Sequence, residues 1–322
     1  MEVQIQFYED WMKDQVVSLF VAQYGVTAGE FAVFFERFYE HDFQREKTIR
    51  IAAVDGEKVV GFQSFFYWPY KRSGKVYNTF QSGNSLVHPD YRGQGMFQRM
   101  LNFVYENEQQ LGLDFFVGFP VEASIRSFRK NGWNNLLNLR WYIRPVNVFA
   151  PLFLLFSNPA KRLSRVFSSE RIVLADEMGG HGFRRAQDAA FSQWRDGYSA
   201  DEHYYFRYES GEKHVVFEGK FSRRKKVLGE LVIGDIATNV DDAAFLTSGM
   251  QALLRKARSA RIIAFVSCAI NDTYEGASSA AIRQMFKPMD REIYFITRNF
   301  CGDAAIDDPG QWQLYRSDID TW

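Results

Sequence analysis

Residues 85–97, SLVHPDYRGQGMF, constrain this chain more than any other stretch. An apolar run stops at Pro89, Gly93 and Gly95 follow, and an amphipathic segment starts directly after them. Proline cannot donate to a sheet ladder, so it closes the strand. Phe97, Met100, Leu101, Val104 and Leu111 then fall on one face of a helix that ends at Gly112. The segment reads as a strand, a glycine-rich loop and a helix start. Such a loop aims backbone N–H groups outward with no side chain in the way, which suits a nucleotide pyrophosphate.

The flanks supply an ordered mixed α/β context. Val3–Phe7 reads as a short strand, and apolar residues then recur at helical spacing from Trp11 to Phe20 and from Phe31 to Phe38. TIRIAAVD (48–55), EKVVGFQSFFYWPY (57–70) and KVYNTFQSGNSLVHP (75–89) read as three strands joined by turns at Asp55-Gly56 and Arg72-Ser73-Gly74. After the long helix come a strand, DFFVGFP (114–120), a helix stopped by Gly132, and a strand, WNNLLNLRWYIRP (133–145). The aromatic run at 65–70 reads as core packing, or as a platform beneath a flat substrate.

With these elements in this order, the chain resembles the GNAT superfamily of N-acetyltransferases, whose signature is a strand, V-x-P-x-Y-R-G-x-G, and a helix. Val87, Pro89, Tyr91, Arg92, Gly93 and Gly95 match it. A second family motif is matched by Ser124, Phe128, Lys130, Gly132 and Trp133. The resemblance implies acetyl-CoA as co-substrate and no metal. It puts the pyrophosphate on Arg92, Gly93, Gln94, Gly95, Met96 and Phe97, and the pantetheine arm against Leu86 and Val87, with Ser124 and Phe128 also at the cofactor. The thioester then ends near residues 81–84, where Gly83 permits a bulge. The implied reaction is direct attack of an amine, an amino sugar or another small amine, on acetyl-CoA in a ternary complex.

Two residues depart from the family pattern. Phe97 stands where glycine or alanine is common, and Phe128 stands where many members carry a tyrosine that protonates the departing thiolate. General acid catalysis is typically worth ~100 to 10,000-fold. A thiol with a pKa near ~8.5 is nonetheless a tolerable leaving group. An acceptor amine with a pKa near ~10.4 needs a base, yet residues 76–87 contain no carboxylate. His88, Tyr77, Asp114 and Glu122 are near in sequence, and no placement singles one out, so the catalytic residues stay unassigned. A non-catalytic CoA-binding scaffold, and an aminoacyl or other acyl transferase of the same fold, are the alternatives.

A chain of 322 residues is long for one core, because single cores rarely grow beyond ~250 residues. A similar element order returns after residue 170: RIVLADE (171–177), HVVFEGKF (214–221) and KKVLGELVIGDIA (225–237) as strands, then 241–260 helical, RIIAFVSC (261–268), a helix at 277–286 and a closing strand. We therefore expect two tandem GNAT-like lobes: 1–146 as the acetyl-CoA-binding domain, 147–169 as linker, and 170–322 as a second domain without a CoA loop. At the equivalent point the second half has TNVDDAAF (238–245), carboxylates where a phosphate would bind. It is expected to wall the acceptor pocket, with HYYFRYE (203–209) and Arg207 as contributors. The tail from Cys301 is unassigned, or docked on a surface.

Lysine plus arginine and aspartate plus glutamate are 39 each, so nothing global points to nucleic acid. Cys268 and Cys301 are too few for a disulfide framework and fit a reducing compartment. The acidic N-terminus does not read as an export signal, and the apolar run 146–156, broken by Asn147 and Pro151, is short of the ~20 residues of a membrane span. A cytoplasmic protein without an integral membrane segment is the expectation. Val146–Arg165, apolar then basic, also carries a membrane-surface reading. The basic run 223–226 reads as a solvated hairpin turn, or as a weak attractor of acidic lipid.

Overall fold

The computed structural model describes residues 2–172, 181–199 and 201–322. The first half runs β1 (Gln4–Phe7), α1 (Lys13–Tyr24), α2 (Ala28–Tyr39), β2 (Ile49–Asp55), β3 (Lys58–Tyr67), β4 (Tyr70–Arg72), β5 (Lys75–Tyr77), β6 (Thr79–Val87), α3 (Met96–Glu106), β7 (Phe115–Gly118), α4 (Glu122–Lys130) and β8 (Asn134–Pro145). The second half runs α5 (Ala150–Leu155), α6 (Pro159–Leu163), β9 (Arg184–Arg185), α7 (Ala189–Tyr198), β10 (His203–Ser210), β11 (Lys213–Arg224), β12 (Leu228–Thr238), α8 (Ala243–Ser259), β13 (Phe265–Ile270), α9 (Ala277–Met285) and β14 (Lys287–Asn299). Most of the strand expected at RIVLADE lies outside the described residues.

Among the described residues, eleven strands form one sheet in the order β1-β2-β3-β6-β7-β14-β8-β13-β12-β11-β10. The repeat read from the sequence is real as topology: β6-α3-β7-α4-β8 and β12-α8-β13-α9-β14 are the same unit. In each unit the first two strands pair in parallel. The units then exchange their last strands. β14 pairs with β7 of the first half, β8 pairs with β13 of the second, and β8 and β14 form an antiparallel seam with each other. Each unit's third strand is thus a component of the other half's sheet, and the two halves share one hydrogen-bonded layer.

Local chemistry sets the element ends. Gly25 ends α1 at φ 66°, and Thr27 opens α2 with a capping box in which Glu30 reciprocates. The run FFYWPY is core rather than platform. Phe65, Phe66, Trp68 and Tyr70 are fully buried, and Pro69 breaks β3 from the small sheet β5-β4-β9. One core lies between the sheet and α1, α2 and α7; a second lies under α3. A third packs the second half against α8 and α9.

The tail after β14 is interior, not a surface appendage. Trp312, Leu314, Tyr315, Ile319 and Trp322 are buried, and Trp312 stacks on Phe183 at 4.5 Å. The β12–β13 ladder ends at Ile233 and Cys268, and beyond it Tyr315 bridges to Ile270. A Cβ on Gly234 would lie 2.0 Å from the Trp322 ring, so glycine is required there. The chain's own tail fills the gap where β12 and β13 part.

Candidate active site

In the first half the equivalent strands also part. β6 and β7 are laddered only from Thr79–Phe115 to Gln81–Val117. From Ser82 to Val87 the β7-facing edge of β6 carries no ladder, and apart from Val87 O, which accepts from Arg92 Nε, such an edge suits an extended amide-bearing chain lying as though it were a strand. β3 pairs Phe62 with Leu86 and then Ser64 with Gly83, leaving Asn84 and Ser85 opposite Gln63 alone. The expected bulge therefore exists, centred on Asn84 at φ 53°.

Polar side chains hold that bulge. Tyr39 Oη lies 2.8 Å from Ser64 Oγ and accepts from Asn84 Nδ2 at 2.6 Å. Gln63 Nε2 donates to Ser82 Oγ at 3.2 Å, and Ser85 donates to Gln63 Oε1. A Cβ on Gly83 would meet the Phe66 ring at 2.6 Å, so the floor under the bulge is filled by an aromatic ring and needs a glycine above it.

The loop follows directly. Gly93 and Gly95 sit at φ 76° and 73°, and a Cβ on either would point into open space. Their requirement is conformational, and their outward face is clear. Arg99 N makes the first helical bond, to Gly95 O, which leaves the amides of Met96, Phe97 and Gln98 without an intrahelical acceptor. No side chain caps α3. The loop's shape is fixed from outside: Tyr91 Oη donates to Asp55 Oδ2 at 2.7 Å, and Gln94 Nε2 donates to Asp90 O at 3.0 Å. Arg92 turns back, donating from Nε to Val87 O and from Nη2 to Gln23 Oε1, so only its backbone faces the loop interior.

The two departures from the family pattern touch each other. Phe97, half-buried, meets the buried Phe128 ring edge-on at 5.2 Å, and Phe128 meets Trp133 at 5.0 Å. Phe97 thus leaves the loop mouth and staples α3 to α4. Ser124 lies on the first turn of α4, its hydroxyl donating to Val121 O at 3.1 Å. The hydroxyl of this cluster belongs to Tyr105, which accepts from Trp133 Nε1 at 2.8 Å and donates to Asn131 O, away from the loop.

The carboxylate that the strand lacks arrives from the tail. Gln81, the last laddered residue of β6, donates from Nε2 to Asp320 Oδ1 at 3.0 Å. Tyr198 Oη donates to Asp320 O at 3.1 Å, fixing the backbone there. Burial pushes the half-buried Asp320 carboxyl above its ordinary value, against the pull of the Arg195 and Arg316 guanidiniums. Arg195 is itself buried, lies over the Trp68 ring at 4.7 Å and donates to Ile319 O at 3.0 Å. Asp320 is 239 residues from Gln81, so sequence reading had no local signal for it.

The residues near in sequence have structural work instead. His88 Nδ1 accepts from Asp90 N, Tyr77 donates to Asp303, Asp114 accepts from Asn78 N, and Glu122 is an exposed first-turn charge of α4. HYYFRYE is corrected: it is β10, the outer edge strand of the second half, where Arg207 pairs with Glu209 and does not reach the gap in the first half. Among the described residues, no group of three or more His, Cys, Asp or Glu is placed to hold a metal.

Residues 5–135 match the family model described as an acetyltransferase (GNAT) domain. The first half is a GNAT domain. Solved structures share the fold across both halves. A GCN5-related N-acetyltransferase from Anabaena variabilis is 12% identical with a TM-score of 0.62, covering 92% of this chain and 73% of that one. A probable N-acyltransferase from Enterococcus faecalis, 11% identical, reaches 0.63 over 94% and 73%. The N-myristoyltransferase of Saccharomyces cerevisiae with bound myristoyl-CoA is 11% identical with a TM-score of 0.50 over 93% and 79%. No curated protein matches in sequence. The GNAT domain makes acyl transfer the reaction class, and the parting of β6 from β7 and the uncapped α3 lie within it.

Proposed function

We propose that the protein transfers an acetyl group from acetyl-CoA to a small amine by direct attack in a ternary complex. The observation that carries this is the uncapped N-terminus of α3 at the end of an unladdered strand edge. In this reading the amides from Arg92 to Phe97 take the pyrophosphate, the backbone of Leu86 and Val87 takes the pantetheine arm, and Ser124 and Phe128 flank it from α4. The Phe66 ring beneath Gly83 favours a short acyl group at the bulge. Residues 1–146 hold the donor, 147–169 link, and 170–322 supply the acceptor side through the tail. Two free cysteines and a CoA thioester substrate suit a reducing, cytoplasmic setting.

Asp320 serves as the base. It accepts one proton from the acceptor ammonium, and the freed nitrogen lone pair attacks the thioester carbonyl carbon. The C–N bond forms, the C–S bond breaks with its electron pair on sulfur, and the thiolate takes up the second proton that nitrogen sheds. Phe128 offers no proton there, so the thiolate departs on its own modest basicity.

A thiol-release screen of amino sugars, polyamines, amino acids and peptide N-termini tests the reading. Acceptor-dependent release that vanishes in Gly95→Trp supports it, and full activity in that variant sinks the loop assignment. Acetyl-CoA binding with no turnover across the panel converts the protein into a CoA-binding scaffold, the reading that Phe128 favours.

A further inference from the structure

Residues 146–156 present a surface that acyl transfer does not use. Val146 N donates to Ala264 O at 2.8 Å, and Asn147 Nδ2 donates to Arg261 O at 2.8 Å, so the segment is pinned to the end of the second half's sheet. Ala150 and Leu154 enter the core. The other side of the segment carries Val148, Phe149, Leu152, Leu155 and Phe156, all between 61% and 89% exposed. Scattered exposed apolar residues are ordinary, but five within nine positions form a ridge.

Along the segment itself the charges have one sign. From 146 to 169 the sequence holds Lys161, Arg162 and Arg165 and no acidic residue. The fold adds a second basic run from far away. Ala264, which accepts from Val146, donates in turn to Gly229 O at 2.7 Å, at the start of β12. The tip of the β11–β12 hairpin just before it carries the exposed Arg223 at the end of β11 and Lys225 and Lys226 in the turn, with Val227 47% exposed beside them. Asp201 and Glu202 line clefts beside α6, but Asp201 pairs with Lys220 at 3.1 Å and Glu202 accepts from Tyr204.

We propose that this ridge inserts into the headgroup region of an anionic phospholipid bilayer, with the two basic runs facing the acidic lipids. Among the described residues no helix is long and apolar enough to cross a membrane, so the contact is peripheral. Exposed apolar side chains on and beside the short helix α5 suit shallow insertion next to basic residues. A symmetric dimer through the same face would set each basic run against its own copy, which argues for lipid over self-association.

Vesicle flotation of the full chain tests this, with phosphatidylcholine alone and with about 30% phosphatidylserine, an anionic lipid. At low salt the native chain floats with the anionic vesicles, and binding falls as salt rises. Phe149→Ser with Phe156→Ser lowers partitioning by on the order of 20-fold. Lys225→Ala with Lys226→Ala lowers it by about fivefold per lysine and weakens the salt dependence. Unfolding temperature and thiol release stay unchanged in both, because these side chains are exposed and outside the proposed site. No flotation of the native chain, or equal flotation of the Phe variant, overturns the proposal. So does a lipid-free dimer in sedimentation that the Phe variant dissolves, which would make the ridge a self-association face.

Discussion

α3 and α8 occupy equivalent places in the two halves, yet their first turns are opposites. α3 starts at Gly95 with nothing on its amides, whereas α8 starts at Asp242, whose carboxylate accepts from Phe245 N at 3.0 Å. Lys213 pairs with that carboxylate at 2.7 Å, and the neighbouring Asp241 accepts from Ala277 N at the start of α9. The second half therefore carries its own anions where the first leaves donors free. The strand gaps differ in the same sense: β6 and β7 part around open edge, while Tyr315 and Trp322 occupy the gap between β12 and β13. One unit used twice keeps an uncapped loop in its first copy and a plugged gap in its second, and the plug brings Asp320 against Gln81 of the first.

The largest effect should come from breaking that delivery. Asp320→Asn is expected to lower kcat by about 100 to 10,000-fold while leaving acetyl-CoA affinity intact, read by steady-state thiol release and calorimetry. The base must be ionised, and burial raises its pKa, so the native rate falls on the acid side at a pH above the ordinary ~3.9 of aspartate. Arg195, Arg316, Tyr39 and Tyr198 are the charged and titratable groups that face it. An acid limb that persists together with an unchanged rate in Asp320→Asn would leave Asp320 a structural carboxylate.

The second half's stability should be separable from donor binding. Burial pushes the Glu218 carboxyl up, but the His203 ring, 2.7 Å away, with Arg171 and Trp322, holds it well below the usual range. Because the folded value is depressed, the stabilisation is complete above the ordinary ~4.3 and is lost as pH falls below it. Glu218→Gln should cost about 3 kcal/mol in denaturant unfolding at neutral pH, with no such loss difference in strong acid and no change in acetyl-CoA affinity.

Within the first half, Phe97 and Phe128 should couple. A double-mutant cycle to alanine is expected to return about 1 kcal/mol, the usual worth of an edge-on aromatic pair. A coupling near zero would mean that Phe97 lies over the loop mouth instead. The smallest effect belongs to Asp242→Ala, which should lower the unfolding temperature slightly and create no acetyl-CoA binding, since the tail still fills the gap. Binding gained there would show that the cap alone distinguishes the halves.

Much of the first half was legible because its signals are local. Pro89, the positive-φ glycines and the apolar face of α3 are each read within a few residues, and the β6 bulge followed from Gly83 nearby. The second motif is local in the same way, although its Phe128 could not announce its contact with Phe97. Short elements escaped: α5, α6 and α7 have too few turns for periodicity, and Pro69 hid the small sheet inside an apparent hairpin.

What the sequence determined alone was the shape of the loop before α3, since a glycine loop and a helix start are dictated by backbone conformation. It also determined the repeat, since element order is a local property read twice. Strand exchange, the filled second gap and the place of Asp320 were decided only by tertiary structure. Those depend on which edges pair and which gap a buried tryptophan fills, contacts between residues far apart in sequence that leave no mark on local pattern.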